Sequence, residues 1–225
     1  MATFEGLKFD ASGLVTVVVQ DELTGEIRMV AHASKEALQQ TQQTGKATFW
    51  SRSRSELWVK GETSGNSIRV SQIWRDCDGD AVIYVASPTG PSCHTGAASC
   101  FFEQLSGNSL PGSLTGKSAE APLPILQGLE QTLRTRQTST STKSYTKSLF
   151  EAGPAKIAAK IREEGGELAQ AVESESDERV VSESADVLYH LMVGLLARGL
   201  CLRDVQQELG CRFGVSGHEE KASRG

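Results

Sequence analysis

The segment from Asp76 to Phe101 gathers side chains that bind metal ions. It holds three aspartates, three of the chain's five cysteines and a histidine: Asp76, Asp78, Asp80, Cys77, Cys93, Cys100 and His94. Thiolates suit zinc and carboxylates suit magnesium, so one short stretch offers ligands for two chemically different metals. This combination points to hydrolysis rather than to a structural zinc site. For the aspartates alone, an Asp/Gly turn between two strands is the alternative explanation.

Length and composition limit the classes of protein to consider. A chain of 225 residues with 38% hydrophobic residues predicts two domains of about 100 residues each. The net charge of -5 and the lack of a long basic run argue against a nucleic-acid partner. We find no apolar stretch of the roughly 20 residues that span a bilayer, and no signal-peptide core in residues 1–10. We therefore expect a cytoplasmic protein without a membrane partner, whose thiols stay reduced.

The elements that must position these ligands change in type along the chain. Short β-branched runs separated by turns predict strands at Leu14–Gln20, Ile27–His32, Ala47–Ser51, Leu57–Lys60, Ile68–Asp76 and Ala81–Ala86. Ser34 and Gly45 cap one predicted helix over Lys35–Thr44. Ser, Gly and Pro then dominate a predicted linker at 107–124. We place a β-rich domain at 1–106 and a helical domain at 125–225, which is an α+β multidomain fold.

A helix that begins at Pro154 carries a carboxylate within its apolar face. Ile157, Ile161, Leu168 and Val172 define the predicted buried arc, and Glu164 falls on the same face. A charged and unpaired carboxylate in a core costs several kcal/mol, so it must be protonated, ion-paired or metal-bound. Glu167 lies near the border of this face.

The next helix repeats this arrangement. Its predicted buried arc consists of Val180, Val187, Leu188, Leu191 and Leu195, and Glu183 and Asp186 lie along one border. If the two helices pack antiparallel, their four carboxylates, Glu164, Glu167, Glu183 and Asp186, converge on a site suited to magnesium. The alternative is two ordinary amphipathic helices with solvated acids.

At this point the residues carry a family resemblance. The chain resembles the bifunctional histidine-biosynthesis enzymes that fuse phosphoribosyl-AMP cyclohydrolase to phosphoribosyl-ATP pyrophosphohydrolase. The first resemblance runs from about Phe9 to Phe102 through Trp50–Arg54, Lys60–Asn66, Asp76–Ala81, Cys93–Gly96 and Ser99–Phe101. The second runs from about Leu126 to Arg224 through Ser144–Thr146, Glu163–Glu167, Glu183–His190 and Ser216–Arg224.

The resemblance implies a β-rich cyclohydrolase domain that is an obligate dimer, followed by an all-α, MazG-like helical bundle. It implies that Cys77 of one subunit and Cys93 and Cys100 of the other bind one zinc ion per cyclohydrolase subunit. Six residues separate Cys93 from Cys100, rather than the two to four of a zinc knuckle, and three protein ligands leave one coordination position open. The open position suits a water whose pKa zinc lowers to about 7, and hydrolytic opening of the adenine ring would follow. The resemblance also assigns magnesium to Asp76, Asp78 and Asp80.

Further residues receive roles from chemistry and from the resemblance together. His94 is the candidate for proton transfer, although a lone histidine more often has a structural role. Phosphate contacts are predicted for Arg52, Arg54, Lys60, Ser64, Lys156 and Lys160. For Lys156 and Lys160, the alternative is that they lie on an ordinary solvated helix face. Glu164 is the predicted catalytic carboxylate for pyrophosphate release, with magnesium neutralising developing charge. Cys201 and Cys211 match no ligand position, and we expect them to be small buried thiols.

Two other functions remain open from the sequence. One is a cyclohydrolase whose helical domain serves only dimerisation, and the other is a non-catalytic, zinc-dependent assembly module. The leading hypothesis predicts phosphoribosyl nucleotides as the small-molecule partners, turned over in both domains.

Overall fold

A computed structural model describes residues 4–105, 122–139 and 144–213 of the chain. The chain divides into two compact units, Met1–Pro124 and Ile125–Gly225. Most of the predicted linker at 107–124 and the whole Ser216–Arg224 motif lie outside the described residues.

The first unit is built on β-strands. They are β1 Val15–Asp21, β2 Ile27–Ala33, β3 Thr48–Ser51, β4 Glu56–Val59, β5 Ile68–Arg75 and β6 Ala81–Pro88. Four of them form one sheet in the order β2-β1-β6-β5, and β3 and β4 form a separate hairpin. The central strands β1 and β6 are parallel, whereas β2 and β5 pair antiparallel with their neighbours. All six predicted strands are therefore present, with bounds that differ by two residues at most.

One helix, α1 Lys35–Thr44, packs in the first unit with the bounds that its caps predict. The Ser34 hydroxyl accepts a hydrogen bond from the Ala37 amide at 3.2 Å. Gly45 ends the helix with φ 67°, a left-handed conformation in which glycine has no Cβ to strain.

The two faces of the four-stranded sheet differ in burial. Val17 and Val19 of β1 point into a core that also contains Leu38, Phe49 and Tyr84. The opposite face carries an apolar row that crosses all four strands, because Val18 pairs with both Val30 and Ile83, and Ile83 pairs with Trp74. Within this row Trp74 is 60% exposed, Val30 43% and Ile83 37%. We call these four residues, Val18, Val30, Trp74 and Ile83, the sheet-face row.

The second unit is helical throughout its described part. Its helices are α2 Ile125–Thr138, α3 Tyr145–Ala152, α4 Pro154–Ser174, α5 Asp177–Ala197 and α6 Leu202–Arg212. Two residues join α4 to α5, and Gly194 near the end of α5 lies against Ile157 and Ile161 near the start of α4, so these helices are antiparallel. A β-rich first unit and an all-helical second unit confirm the predicted α+β fold class.

The predicted buried arcs of α4 and α5 are wrong in part. Val172 is 66% exposed, Leu188 40% and Leu191 37%. Helix α5 instead buries a different set, which comprises Glu183, His190, Met192, Val193 and Leu196. The reason is that α5 carries apolar residues on almost all sides, so periodicity alone does not determine which side faces α4.

Helix α5 also bears on the expectation that no apolar stretch is long enough to span a membrane. The helix is 21 residues long and contains an 18-residue stretch with a mean hydropathy of 1.3, which meets the length and composition of a membrane span. That expectation is therefore wrong for this helix. A core helix meets the same criteria. The side chains of Glu183 and His190 are nearly inaccessible to solvent in this unit, at 3% and 4% exposure.

Candidate metal centres

The three aspartates of the first unit converge in the loop between β5 and β6. One carboxylate oxygen from each of Asp76, Asp78 and Asp80 lies within 4.8 Å of the others. The Asp76 carboxylate accepts hydrogen bonds from the amides of Gly79 at 2.9 Å and Ala81 at 3.2 Å, which fixes the loop. Gly79 has φ 84°, and a Cβ there would lie 2.2 Å from the Gly6 carbonyl oxygen. Only glycine fits this position.

The electrostatics of this loop suit a cation. Desolvation opposes ionisation of Asp76, but hydrogen bonding, which includes the backbone amides of Ala81 and Gly79, outweighs it and lowers its pKa. The negative charge of Asp78, together with Asp76, raises the pKa of Asp80. Three carboxylates this close together are a donor set that a divalent ion stabilises.

Two of the three cysteines lie together in the loop 90–100, which we call the cysteine loop. Cys93 is buried and Cys100 is exposed. Hydrogen bonding from the Thr95 hydroxyl, 3.1 Å from the Cys93 sulfur, lowers the pKa of that thiol. Burial and the adjacent Cys93 raise the pKa of Cys100, while the charges of Lys60 and Arg28 oppose this. His94 is exposed, and its Nδ1 lies 3.8 Å from the Cys93 sulfur.

Cys77 is exposed and lies at the far corner of the four-stranded sheet. It belongs to the loop that precedes β6, and the start of β6 pairs with Thr16 of β1. Cys100 donates its backbone N–H to Arg28 of β2, next to Gln20 at the other end of β1. Standard strand geometry then separates the two corners by about 13 Å along the strands and about 10 Å across them. One subunit in this conformation does not bring Cys77 to the other two cysteines.

The predicted phosphate contacts of the first unit fall into two groups. Arg52 and Arg54 lie on the exposed turn between β3 and β4, where Arg54 pairs with Glu56 at 3.1 Å. Lys60 follows β4 and is close enough to influence the Cys100 thiol. Ser64 is exposed, and its hydroxyl accepts a hydrogen bond from the Asn66 amide.

In the second unit, three of the four predicted carboxylates converge between α4 and α5. Oxygen atoms of Glu164, Glu167 and Glu183 lie within 4.8 Å of one another. Glu164 is 7% exposed and Glu183 is 3% exposed. Asp186 lies outside this set of three. Burial is the main cause of the raised pKa of Glu183, and the charge of Asp186 contributes to it. We call the three residues, Glu164, Glu167 and Glu183, the carboxylate cluster.

Cations from the same helices neutralise the carboxylate cluster. The Lys160 ammonium lies 2.8 Å from both Glu163 and Glu164, and these contacts raise the pKa of Lys160. Arg179 pairs with Glu183 at 2.6 Å. Lys160 is thus held by carboxylates, whereas Lys156 is exposed and acts on Glu163 through its charge.

The sequence-based prediction missed His190, which lies beside the carboxylate cluster. Its Nδ1 lies 2.9 Å from the Asp186 carbonyl oxygen and 3.7 Å from Glu164 Oε1. A carbonyl can only accept, so Nδ1 donates to Asp186, and Nε2 shares a hydrogen bond of 3.2 Å with the Tyr145 hydroxyl. The spacing held a signal, because Glu183 and His190 are seven residues apart and therefore share one face of α5.

The prediction for the two remaining cysteines is wrong. Cys211 is exposed and Cys201 is half-buried. The Cys201 thiol donates to Asp204 at 3.2 Å at the start of α6, and burial raises its pKa.

Each half of the chain matches a known protein family. Residues 29–102 match the family model of phosphoribosyl-AMP cyclohydrolase, and residues 126–212 match that of phosphoribosyl-ATP pyrophosphohydrolase. The chain is 41% identical to the histidine biosynthesis bifunctional protein HisIE of Photobacterium profundum, over 88% of this chain and 91% of that protein. It is also 41% identical to the Thermus thermophilus protein of the same name, over 90% of each. The chloroplastic protein of this name from Arabidopsis thaliana is 40% identical over 97% of this chain and 79% of its own length.

Proposed function

Because this chain belongs to the family of bifunctional histidine-biosynthesis enzymes that join phosphoribosyl-AMP cyclohydrolase to phosphoribosyl-ATP pyrophosphohydrolase, we propose that its two metal-ligand regions are two separate catalytic centres. The protein is a bifunctional hydrolase. The helical unit removes pyrophosphate from phosphoribosyl-ATP, and the β-rich unit hydrolytically opens the adenine ring of the resulting phosphoribosyl-AMP. The cyclohydrolase-only alternative is disfavoured because residues 126–212 match the second family model.

In the β-rich unit, the donor set fits zinc at the cysteine loop and magnesium at the aspartates. Cys93 and Cys100 supply two neighbouring thiols, one of them with a lowered pKa. When bound, zinc supplies a Lewis acid that lowers the pKa of water to about 7. His94 is exposed beside Cys93 and is placed to move a proton. Lys60, close to Cys100, is positioned to hold a substrate phosphate next to this chemistry.

A homodimer completes the zinc ligands. The observation that carries this proposal is the location of Cys77 and Cys100 at opposite corners of one sheet. If two subunits stack face to face, a two-fold axis between the two sheets and perpendicular to the diagonal that joins the corners would bring the Cys77 corner of one subunit to the Cys100 corner of its partner. The exposed sheet-face row supports such a contact, since a tryptophan and two β-branched residues facing solvent mark a surface that another protein covers.

Mixing two inactive variants tests the shared site. Cys77→Ala and Cys93→Ala homodimers should each lack ring-opening activity. When equal amounts are unfolded and refolded together, half of the dimers are mixed and each has one intact site of two, so about 25% of parental activity is expected. Phosphoribosyl-AMP turnover measures the recovery. A mixture as inactive as its components, despite mass-spectrometric detection of mixed dimers, would place all three ligands in one subunit.

In the helical unit, the carboxylate cluster fits magnesium. Three carboxylates with oxygen atoms within 4.8 Å of one another, two of them on buried residues, are a donor set that suits a divalent cation. When bound, magnesium neutralises charge on the phosphates during hydrolysis. Glu164 is positioned by Lys160 and by the proximity of His190. His190 also forms a hydrogen bond with the Tyr145 hydroxyl, so α3 is connected to the cluster.

Metal removal should separate the two activities. After exhaustive chelation, both should be lost, and magnesium alone should restore pyrophosphate release but not ring opening. Ring opening should return only after about one zinc per chain is also added, measured by elemental analysis beside turnover. Full ring opening at negligible zinc content would contradict the zinc assignment.

We also propose a cytoplasmic location, which fractionation of cells producing the protein checks.

A further inference from the structure

A buried ion pair lies beneath the cysteine loop. Glu26 and Arg28 are each 9% exposed, and Arg28 Nη1 lies 2.8 Å from Glu26 Oε2. Removing two charges from water costs several kcal/mol per ion, and apolar residues of similar size are often as stable or more so. The pair is therefore weak evidence for a role in stability. Its other contacts indicate what it does.

The remaining side-chain donors of Arg28 are directed at the beginning of the cysteine loop. Its Nε donates to the buried Ser92 hydroxyl at 3.2 Å, and its Nη2 donates to the Gly90 carbonyl at 3.4 Å. Glu26 holds the guanidinium from the other side. Ser92 immediately precedes Cys93, so Arg28 fixes the backbone next to the first cysteine.

The end of the loop is fixed by the same stretch of β2. The Cys100 amide donates to the Arg28 carbonyl at 2.9 Å, and the Ser99 hydroxyl donates to the Ile27 carbonyl at 2.8 Å. Each cysteine thus follows a serine that is hydrogen-bonded to β2. The distance between the two thiols is set by β2, to which both ends of the loop are attached.

We propose that Arg28, oriented by Glu26, is a positioning residue that holds Cys93 and Cys100 at the separation a zinc ion requires. Metal sites tolerate deviations of only about 0.2 Å in ligand distances. Mutation of a residue that orients the ligands typically lowers metal affinity or activity by about 10- to 100-fold. The side-chain hydrogen bonds of Arg28 described above go to Ser92, Gly90 and Glu26, and its charge also acts on the Cys100 thiol. This inference rests on the proposed zinc site.

The decisive variant removes both charges together. Glu26→Gln combined with Arg28→Met leaves no unpaired buried ion, so the unit is expected to keep its fold. Zinc affinity, measured by competition with a chromophoric chelator, should fall about 10- to 100-fold. The kcat of ring opening should fall with it while KM changes little, because substrate contacts are retained. Pyrophosphate release should be unchanged.

Two further variants separate positioning from charge balance and from stability. Arg28→Lys keeps a positive charge for Glu26 but lacks the guanidinium fork, so it should remain impaired in zinc affinity. Arg69→Met removes an exposed arginine from β5 of the same sheet and should match the parent. Hydrogen exchange of the zinc-free protein adds a readout independent of metal, and amides of the loop 90–100 should exchange faster in the double variant.

The outcomes distinguish this inference from the function on which it rests. A double variant with parental zinc affinity, kcat and loop exchange would overturn the positioning role, as would full rescue by lysine. A parent protein that binds no zinc would overturn the zinc site and the inference with it. Reduced zinc affinity with an unchanged thermal unfolding midpoint supports the inference.

Discussion

Glu164→Gln is expected to abolish pyrophosphate release from phosphoribosyl-ATP and leave ring opening of phosphoribosyl-AMP intact. Glutamine keeps the shape of the side chain but removes one of the two buried charges of the carboxylate cluster. A loss of at least about a thousandfold in kcat is expected, since several kcal/mol of metal-borne charge stabilisation correspond to about three factors of ten. Each substrate is supplied separately, and pyrophosphate and the opened product are measured independently.

A matched control lies on the same helix. Glu173 is exposed near the end of α4, so Glu173→Gln makes the same chemical change outside the cluster and should leave both activities unchanged. Loss of ring opening in Glu164→Gln, with unaltered thermal unfolding, would contradict two independent centres. Undiminished pyrophosphate release would remove Glu164 from the catalytic site.

Cys93→Ala should have the reciprocal effect. The substitution removes one of the two thiols that the cysteine loop provides, and with it the zinc ion that we propose for ring opening. Ring opening should fall at least about a thousandfold and zinc content should approach zero, whereas pyrophosphate release persists. Phosphoribosyl-AMP should then accumulate when phosphoribosyl-ATP is the only substrate.

Cys211→Ala serves as the control for this variant, because Cys211 is an exposed cysteine of α6. It should retain both activities and the parental zinc content. If Cys93→Ala keeps bound zinc and parental ring opening, the cysteine loop is not the zinc site. Loss of both activities would instead indicate that the two units depend on each other.

Local signals predicted the elements well. The α1 bounds follow from a serine that accepts an amide hydrogen bond at one end and a glycine with positive φ at the other, both readable within a few residues. The aspartates converge for a similar reason, since they alternate around a glycine in one tight loop. The carboxylate cluster required only that two helices joined by a short turn pack antiparallel.

Properties that depend on distant parts of the chain were not predictable in the same way. Cys77 adjoins Asp76 in sequence, yet sheet register places it far from Cys100, and register is not visible in local spacing. The buried side of α5 was assigned wrongly because apolar residues occupy nearly the whole circumference. The importance of Arg28 appears only once β2 and the cysteine loop, over 60 residues apart in sequence, are seen in contact.

Lys160 and Arg179 give the carboxylate cluster counter-charges that belong to the same helices as the acids. A magnesium ion must compete with these tethered groups, whose effective concentration does not fall on dilution. If magnesium displaces Lys160 and Arg179 in the absence of nucleotide, these side chains lose their ion-pair partners. If a polyphosphate binds at the same time, its phosphates become their new partners. If the proposed magnesium site is correct, we expect metal and nucleotide to favour each other's binding, which is a positive thermodynamic coupling between the two ligands. We therefore expect the helical unit to take up magnesium together with its substrate rather than to store the ion between turnovers.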